Sequence, residues 1–350
     1  MSENNNKAEY VCPLCNSKLV KTETAYTCSS CESVWPIEHN IPRFARSEVQ
    51  WSVFEPEVAK KVTELAENEG WQNAIDAYTE TIGSYTLGYI KNESRADWKV
   101  ILPVGPDSEV LDIGSGWGNI AVSMSKWNKH VHCCDVNMNN LRLLNSRLRD
   151  QKIDNVSTFQ YDPNTFLQMP LADNSIDVAL LNGVLEWMGN ADAGAKPDKI
   201  QLEALKEIRR VLKPGGALYI GIENRYSTAT LKGLGLHGEI PFVGLLPRPV
   251  TNFLTKLIRG SEHKTYIYSL RGYKKLMKKA GFSDVDYYWP YPSYHDPNYL
   301  IPLDDGWSKR YWLNNQFVSR SSKIALAKKL GLGWLPFHWL AFSYSIRCWK

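Results

Sequence analysis

Four of the seven cysteines stand in two C-x-x-C pairs, CPLC (Cys12, Cys15) and CSSC (Cys28, Cys31), separated by twelve residues. Each pair makes a tight turn that aims two thiolates at one point. Two such turns supply the four soft ligands of a tetrahedral zinc ion. A redox role wants one such motif near a βαβ pattern, not two in a polar segment. Protein fills all four positions, so the expected metal is structural and His39 finds no vacancy. Cys133, Cys134 and Cys348 read as core residues. The stretch between the pairs, KLVKTETAYTC, reads as a short hairpin.

A second group of residues begins at Glu109. EVLDIGSGWGNIAVSMSKW reads as a buried strand, a glycine loop (Gly114, Gly116, Gly118) and a helix. Glycines there permit backbone dihedrals and a close ligand approach that a Cβ would block. A glycine loop alone could equally hold a dinucleotide. Three details point away from NAD: the spacing is G-x-G-x-G, Asp112 sits at the strand end just before the glycines, and the next strand, KHVHCCDVN, ends in Asp135. A carboxylate there, about 20 residues on, is placed to take ribose hydroxyls.

Strands and helices must alternate to carry these groups. VSTFQYDPNTFLQMPLADNSIDVALLNGVLEWM gives two further strands, and LEALKEIRRVLKPGGALYIGIEN gives an amphipathic helix, a Pro-Gly-Gly turn and a fifth strand. The pattern predicts an α/β, Rossmann-like fold whose ligands sit beyond the carboxyl ends of the strands. Upstream, residues 48–97 show apolar residues at helical spacing (Val58, Val62, Leu65), predicting helices that cap a cleft. Trp71, Tyr78, Tyr85 and Tyr89 in that stretch either face ligand or pack, and packing is the reading preferred. Downstream, residues 226–268 are rich in Gly and Pro and interrupt the fold as a lid-like insertion. Within it, Val250, Phe253, Leu254, Leu257 and Ile258 share one helical face, expected to dock on the core, with contact to a lipid-linked acceptor at a membrane surface as the alternative. DVDYYWPYP and AFSYSIRCWK read as two closing strands, with an aromatic loop and a basic helix between them.

Composition narrows the classes. The 350 residues include 41 Lys+Arg against 37 Asp+Glu and are 43% hydrophobic, which fits an ordinary globular protein and excludes collagen, bulk disorder and a long coiled coil. The net charge of +4 does not argue for nucleic-acid binding, and the basic residues from Lys309 to Lys329 are diluted enough to read as a solvated helix face. No uninterrupted apolar run reaches the length of a membrane span. The segment MSENNNKAEY has no apolar h-region, so no signal peptide and a cytoplasmic location are expected.

Three resemblances are carried by these motifs. CPLC…CSSC…WPIEHNIPRF resembles the small zinc-ribbon family that activates RNA and protein methyltransferases, with Trp35 and Asn40 departing from its tail pattern. The five ordered motifs of residues 98–225 resemble class I S-adenosylmethionine (SAM) methyltransferases of the quinone-biosynthesis kind, and the helix ending RVLKPGG is especially characteristic. That resemblance implies a seven-stranded mixed sheet with an antiparallel edge. It implies SAM held by Asp112 (amino end), the glycine loop, Asp135 (ribose), Asp162 (adenine amine) and Asn182. Segments within residues 180–303, including IENRYS and YPSYHDPNYLIPL, resemble uncharacterised bacterial methyltransferases of surface-polysaccharide loci.

The expected organisation is therefore a zinc ribbon (1–47), a helical linker or cap (48–97) and a SAM methyltransferase domain (98–350). The expected reaction is O-methylation of a glycan, glycolipid or related small acceptor. Alternatives are RNA or protein methylation with the ribbon as docking module, or non-catalytic SAM binding. Nucleic acid is the disfavoured partner, because NGVLEW lacks the Asn/Asp-Pro-Pro-Tyr motif of adenine methylases and no basic run tracks a phosphate backbone. Methyl transfer from a sulfonium leans on positioning and desolvation, and a hydroxyl acceptor adds the need for a base. Candidate bases are Glu186, Glu223 and His237, with His263 and His295 behind them. Relatives in this superfamily often carry His where Trp187 stands, so a base at that position is not expected.

Overall fold

The computed structural model describes residues 9–45, 55–165, 168–189, 196–234, 240–260, 265–308, 311 and 337–350. The chain begins with a four-stranded antiparallel sheet, β1 (Val20–Lys21), β2 (Ala25–Thr27), β3 (Val34–Glu38) and β4 (Ile41–Pro42), paired in sequence order. β1 and β2 are the hairpin expected between the cysteine pairs. Four helices follow, α1 (Pro56–Glu69), α2 (Trp71–Ala77), α3 (Thr79–Ile82) and α4 (Ser84–Lys91), and then a 3-10 segment, Glu93–Ile101.

The remaining elements build the large sheet. They are β5 (Glu109–Ile113), α5 (Asn119–Ser125), β6 (His130–Asp135), α6 (Met138–Asp150), β7 (Val156–Gln160), β8 (Ile176–Asn182), α7 (Pro197–Val211), β9 (Leu212–Glu223), α8 (Thr228–Leu231), α9 (Arg248–Arg259), α10 (Leu270–Ala280), β10 (Asp284–Tyr291), β11 (Tyr299–Pro302) and β12 (Ser343–Trp349). Strand order is β11-β10-β12-β9-β8-β5-β6-β7. The five central strands are parallel, while β12, β10 and β11 add an antiparallel edge. The sheet thus has eight strands where seven were expected. The extra one is β11, formed where the aromatic loop returns along β10 with Trp289 opposite Ile301. The Pro-Gly-Gly turn is absorbed into β9, and the register shift opposite Ile176 and Val178 accommodates it.

Val110, Leu111 and Ile113 of β5 are apolar because both faces of a parallel sheet are covered. Leu111 and Ile113 enter the core beneath α7 and α10, and Val110 enters the opposite core with α5, α6 and Trp98. Trp98 stacks flat on Tyr219 of β9 at 3.9 Å between ring centroids. The cap helices are tied to this layer by side chains. Asn119 Nδ2 donates to the carbonyls of Tyr89 and Asn92, and the Arg147 guanidinium donates to those of Ile90 and Trp117.

The small N-terminal sheet lies against the exposed edge of β7. Phe44 N–H donates to the Gln160 carbonyl at 2.9 Å, and Val11 N–H donates to that of Pro170. Tyr10, Tyr26, Trp35 and Phe44 form an aromatic cluster, into which β7 contributes Phe159 at 5.6 Å from Tyr10. The two sheets therefore share one core, and an edge strand that could pair with another chain is covered.

One expectation is overturned. The apolar face of α9 does not dock on the core. Thr251 and Thr255 point inward and donate to the carbonyls of Val243 and Thr251, so hydroxyls fill the inward stripe. Phe253, Leu257 and Ile258 are 66%, 71% and 61% exposed. The basic stretch 309–329 lies outside the described residues, except Tyr311.

Candidate functional site

Strand order reverses between β5 and β8, so the loops leaving their carboxyl ends diverge and open a crevice. The loop after β5 carries Gly114, Gly116 and Gly118, all with positive φ. At Gly118, which caps α5 in the left-handed region, an added Cβ would fall 2.1 Å from Leu144 Cδ1. At Gly116 a Cβ would meet nothing within 4 Å. Backbone is therefore presented to open space at Gly116, as a closely approaching ligand requires. The Asp135 carboxylate, buried at the end of β6, accepts from Gly116 N–H at 2.9 Å and from Asn137 N–H and Asn140 Nδ2. Asp135 thus fixes the loop. Asp162, buried after β7, accepts from the backbone and side chain of Asn164.

Several buried polar atoms at this end of the sheet have no hydrogen-bond partner within the protein: Asp112 Oδ2, Ser115 Oγ, Arg95 Nη2, both side-chain atoms of Asn182 and both carboxylate oxygens of Glu186. Buried polar groups are normally satisfied, so such a concentration marks a place where a ligand completes them. Burial first, and the Asp135 charge second, push the Asp112 carboxyl up to about 7, with the Arg95 guanidinium opposing them. A carboxylate and a guanidinium within electrostatic reach match an amino-acid zwitterion. Asn182 has room because Gly221 faces it across β9, where a Cβ would lie 2.2 Å from Asn182 Oδ1.

Beside these groups lies a pair of buried acids. Glu186 follows β8 in a single 3-10 turn and Glu223 ends β9; they are 0% and 2% exposed. Burial, then the Glu223 charge, holds the Glu186 carboxyl well above its usual range. Tyr294 donates its phenol proton to Glu223 Oε1 at 2.9 Å. The Tyr89 ring sits under the Arg95 guanidinium at 3.3 Å and edge-on to His295 at 5.7 Å. Tyr89 thus belongs to the site, whereas Trp71 packs edge-on against Trp117, as expected. His295 stacks near Tyr294, and His237 and His263 lie outside the described residues. Sequence reasoning did not single out Arg95 or Tyr294. Arg95 comes from the cap, where no motif marks it, and Tyr294 had only the aromatic richness of its loop as a signal.

Away from this crevice, the four cysteines Cys12, Cys15, Cys28 and Cys31 bring their Sγ atoms within 4.8 Å of one another. Neighbouring sulfurs are 3.5–3.6 Å apart, far beyond a disulfide bond and close to the spacing of about 3.8 Å that four zinc–sulfur bonds of ~2.3 Å imply. Cys12 and Cys28 are buried and Cys15 and Cys31 are exposed, so the cluster sits at the surface of the small sheet.

Residues 111–220 match the family model described as a methyltransferase domain. The ubiquinone/menaquinone biosynthesis C-methyltransferase UbiE of Vibrio campbellii is 28% identical over 195 residues, covering 52% of this chain and 67% of that protein. The mouse tRNA N(3)-cytidine methyltransferase METTL2 is 26% identical over 194 residues, covering 50% of this chain and 41% of that protein. Among solved structures, Haemonchus contortus phosphoethanolamine N-methyltransferase 1, in complex with phosphoethanolamine and S-adenosylhomocysteine, aligns with a TM-score of 0.45 at 15% identity, over 83% of this chain and 49% of that one. The family match spans β5 through most of β9, the strands whose carboxyl ends hold the glycine loop, Asp135 and Asn182. The chain carries a methyltransferase domain over residues 111–220 and is an S-adenosylmethionine-dependent methyltransferase.

Proposed function

We propose that the protein methylates a hydroxyl of a glycan or related small acceptor, with the Glu186–Glu223 pair taking the proton. The observation that carries this reading is the Glu186 carboxyl, fully buried beside Glu223 and held well above its usual range by that burial and then by its neighbour's charge. SAM, when bound, supplies an electrophilic methyl group on a sulfonium. The Gly116 backbone would hold the methionine part, Asp112 its ammonium and Arg95 its carboxylate. Asp135 would hold the ribose hydroxyls and Asp162 the adenine amine, with Asn182 completing the set. The ionised member of the acid pair would take the proton of the acceptor hydroxyl, while the S–CH3 bond breaks and the displaced thioether leaves neutral. Tyr294 holds Glu223 in place for this. A base whose pKa is raised toward the working pH is the more effective one. Cys12, Cys15, Cys28 and Cys31 hold a structural zinc ion. The organisation proposed is ribbon (1–47), cap (48–97) and catalytic domain (98–350).

Two measurements test the reading. Methyl-labelled SAM and the protein, added to a lysate of the source cell, should put label into glycan, glycolipid or small-molecule fractions. Label confined to RNA or protein would overturn the acceptor assignment. The cofactor site is tested by Asp135→Asn, which keeps the side-chain shape but removes the charged acceptor. SAM affinity measured by calorimetry is expected to fall roughly tenfold or more, since a charge-assisted hydrogen bond is worth about 1.5–3 kcal/mol. Unchanged affinity would rule out a ribose contact.

A further inference from the structure

The chain between β9 and α10 carries a helix turned inside out. In α9 the residues at i, i+3, i+4, i+7 and i+8 (Val250, Phe253, Leu254, Leu257, Ile258) form the apolar stripe, and all but half-buried Leu254 are exposed. The buried positions are the two threonines. A helix that met only water and its own core would present these faces the other way round. The fold holds this orientation firmly. Arg248 donates to the carbonyls of Thr265 and Ile267 with its guanidinium over the Tyr266 ring, and Arg225 ties the preceding loop through the carbonyls of Gly244 and Leu246. In the chain leading to α9, Leu234 and Phe242 are exposed as well.

Charge identifies the occupant. The described residues from 224 to 260 include Arg225, Lys232, Arg248, Lys256 and Arg259 and no Asp or Glu. Lys232, Lys256 and Arg259 are exposed. Counting Glu239 and Glu262, which lie outside the described residues, the stretch 224–264 remains basic in net, and exposed aliphatic and aromatic side chains beside such charge match a bilayer that offers acyl chains below an anionic headgroup layer. The same surround disfavours a second copy, whose basic groups would meet these across a twofold contact.

We propose that α9 docks the protein on an anionic lipid bilayer, with Phe253 and Leu257 entering the acyl boundary and Lys256 and Arg259 meeting headgroups. The helix follows from the carboxyl end of β9, where Glu223 stands, so docking sets the acceptor side of the crevice against the membrane surface. The docking does not depend on which acceptor is methylated.

The test is co-sedimentation of the full chain with phosphatidylcholine vesicles, with and without about 30% phosphatidylglycerol. Partitioning is expected to be at least roughly tenfold stronger on the anionic vesicles and to weaken with salt. Phe253→Glu and Leu257→Glu should each lower it about tenfold or more, with melting temperature and SAM affinity unchanged. Lys256→Glu, which leaves the apolar stripe intact, should lower binding to anionic vesicles alone. Equal partitioning onto both vesicle types would overturn the proposal, as would full binding by the Phe253 and Leu257 variants. A concentration-dependent dimer abolished by the same substitutions would also overturn it and assign the face to a second copy.

Discussion

Replacing Glu186 with Gln is expected to cut kcat by about 10²–10⁴ and, at the same time, to raise the melting temperature. The first effect follows if Glu186 and Glu223 share the proton-accepting role, for which losses of that size are usual. The second follows from burial. The folded state holds the Glu186 carboxyl well above its ordinary value, chiefly by desolvation and then by the Glu223 charge. A group with a raised folded pKa contributes stability that is fully present below the unfolded value and is lost as pH rises through the folded one. The wild type should therefore lose stability with rising pH from above the ordinary Glu value of 4.5 onward. The Gln variant is spared this ionisation, so its margin in melting temperature should widen as pH rises. In the wild type, kcat/KM should climb with pH along a limb lying above the ordinary carboxylate range, and Glu223→Gln should displace that limb. The two acids titrate as a pair, so the limb reports the pair and not one residue. Retained kcat in the Gln variant, with no change in the pH profile, would remove the acids from the chemistry.

The second large effect concerns the cysteine cluster. Cys28→Ser, or stripping metal from the full chain with a chelator, is expected to release one zinc per chain and to lower stability by several kcal/mol, because metal binding to such a site is itself folding free energy. The damage should not stay in the small sheet. Tyr10 and Phe44 share their core with Phe159 of β7, and the Phe44 N–H bonds to the Gln160 carbonyl two residues before Asp162. SAM affinity should therefore fall along with the melting temperature. Zinc-free protein as purified, or chelation that leaves both quantities unchanged, would dismiss the structural ion.

What the sequence made legible was local. Two C-x-x-C turns, a glycine loop between a buried strand and a helix, and acids at strand ends are all set by residues within a few positions of one another. The structure assembles them in the expected order. What escaped was set at long range. Arg95 reaches the crevice from the cap and Tyr294 from the far edge of the sheet, each donating to groups distant in sequence. Periodicity located the apolar stripe of α9 but carries no information about which side faces the core. That depended on Thr251 finding the Val243 carbonyl and on Arg248 gripping Thr265 and Ile267. β11 was missed for a similar reason: YLIP is too short to read as a strand until β10 lies beside it.

The seating of the small sheet on β7 also bears on how the protein is made. Its residues leave the ribosome before those of β7, and the strand that completes their aromatic core comes more than about a hundred positions later, a separation that slows folding. Until Phe159 and Gln160 emerge, Tyr10 and Phe44 lack partners found in the finished protein. The four thiols, by contrast, are all translated by Cys31. Early capture of an ion would hold this nascent segment in shape through that wait, and scarcity of the ion during synthesis would be felt as poor yield of the folded protein.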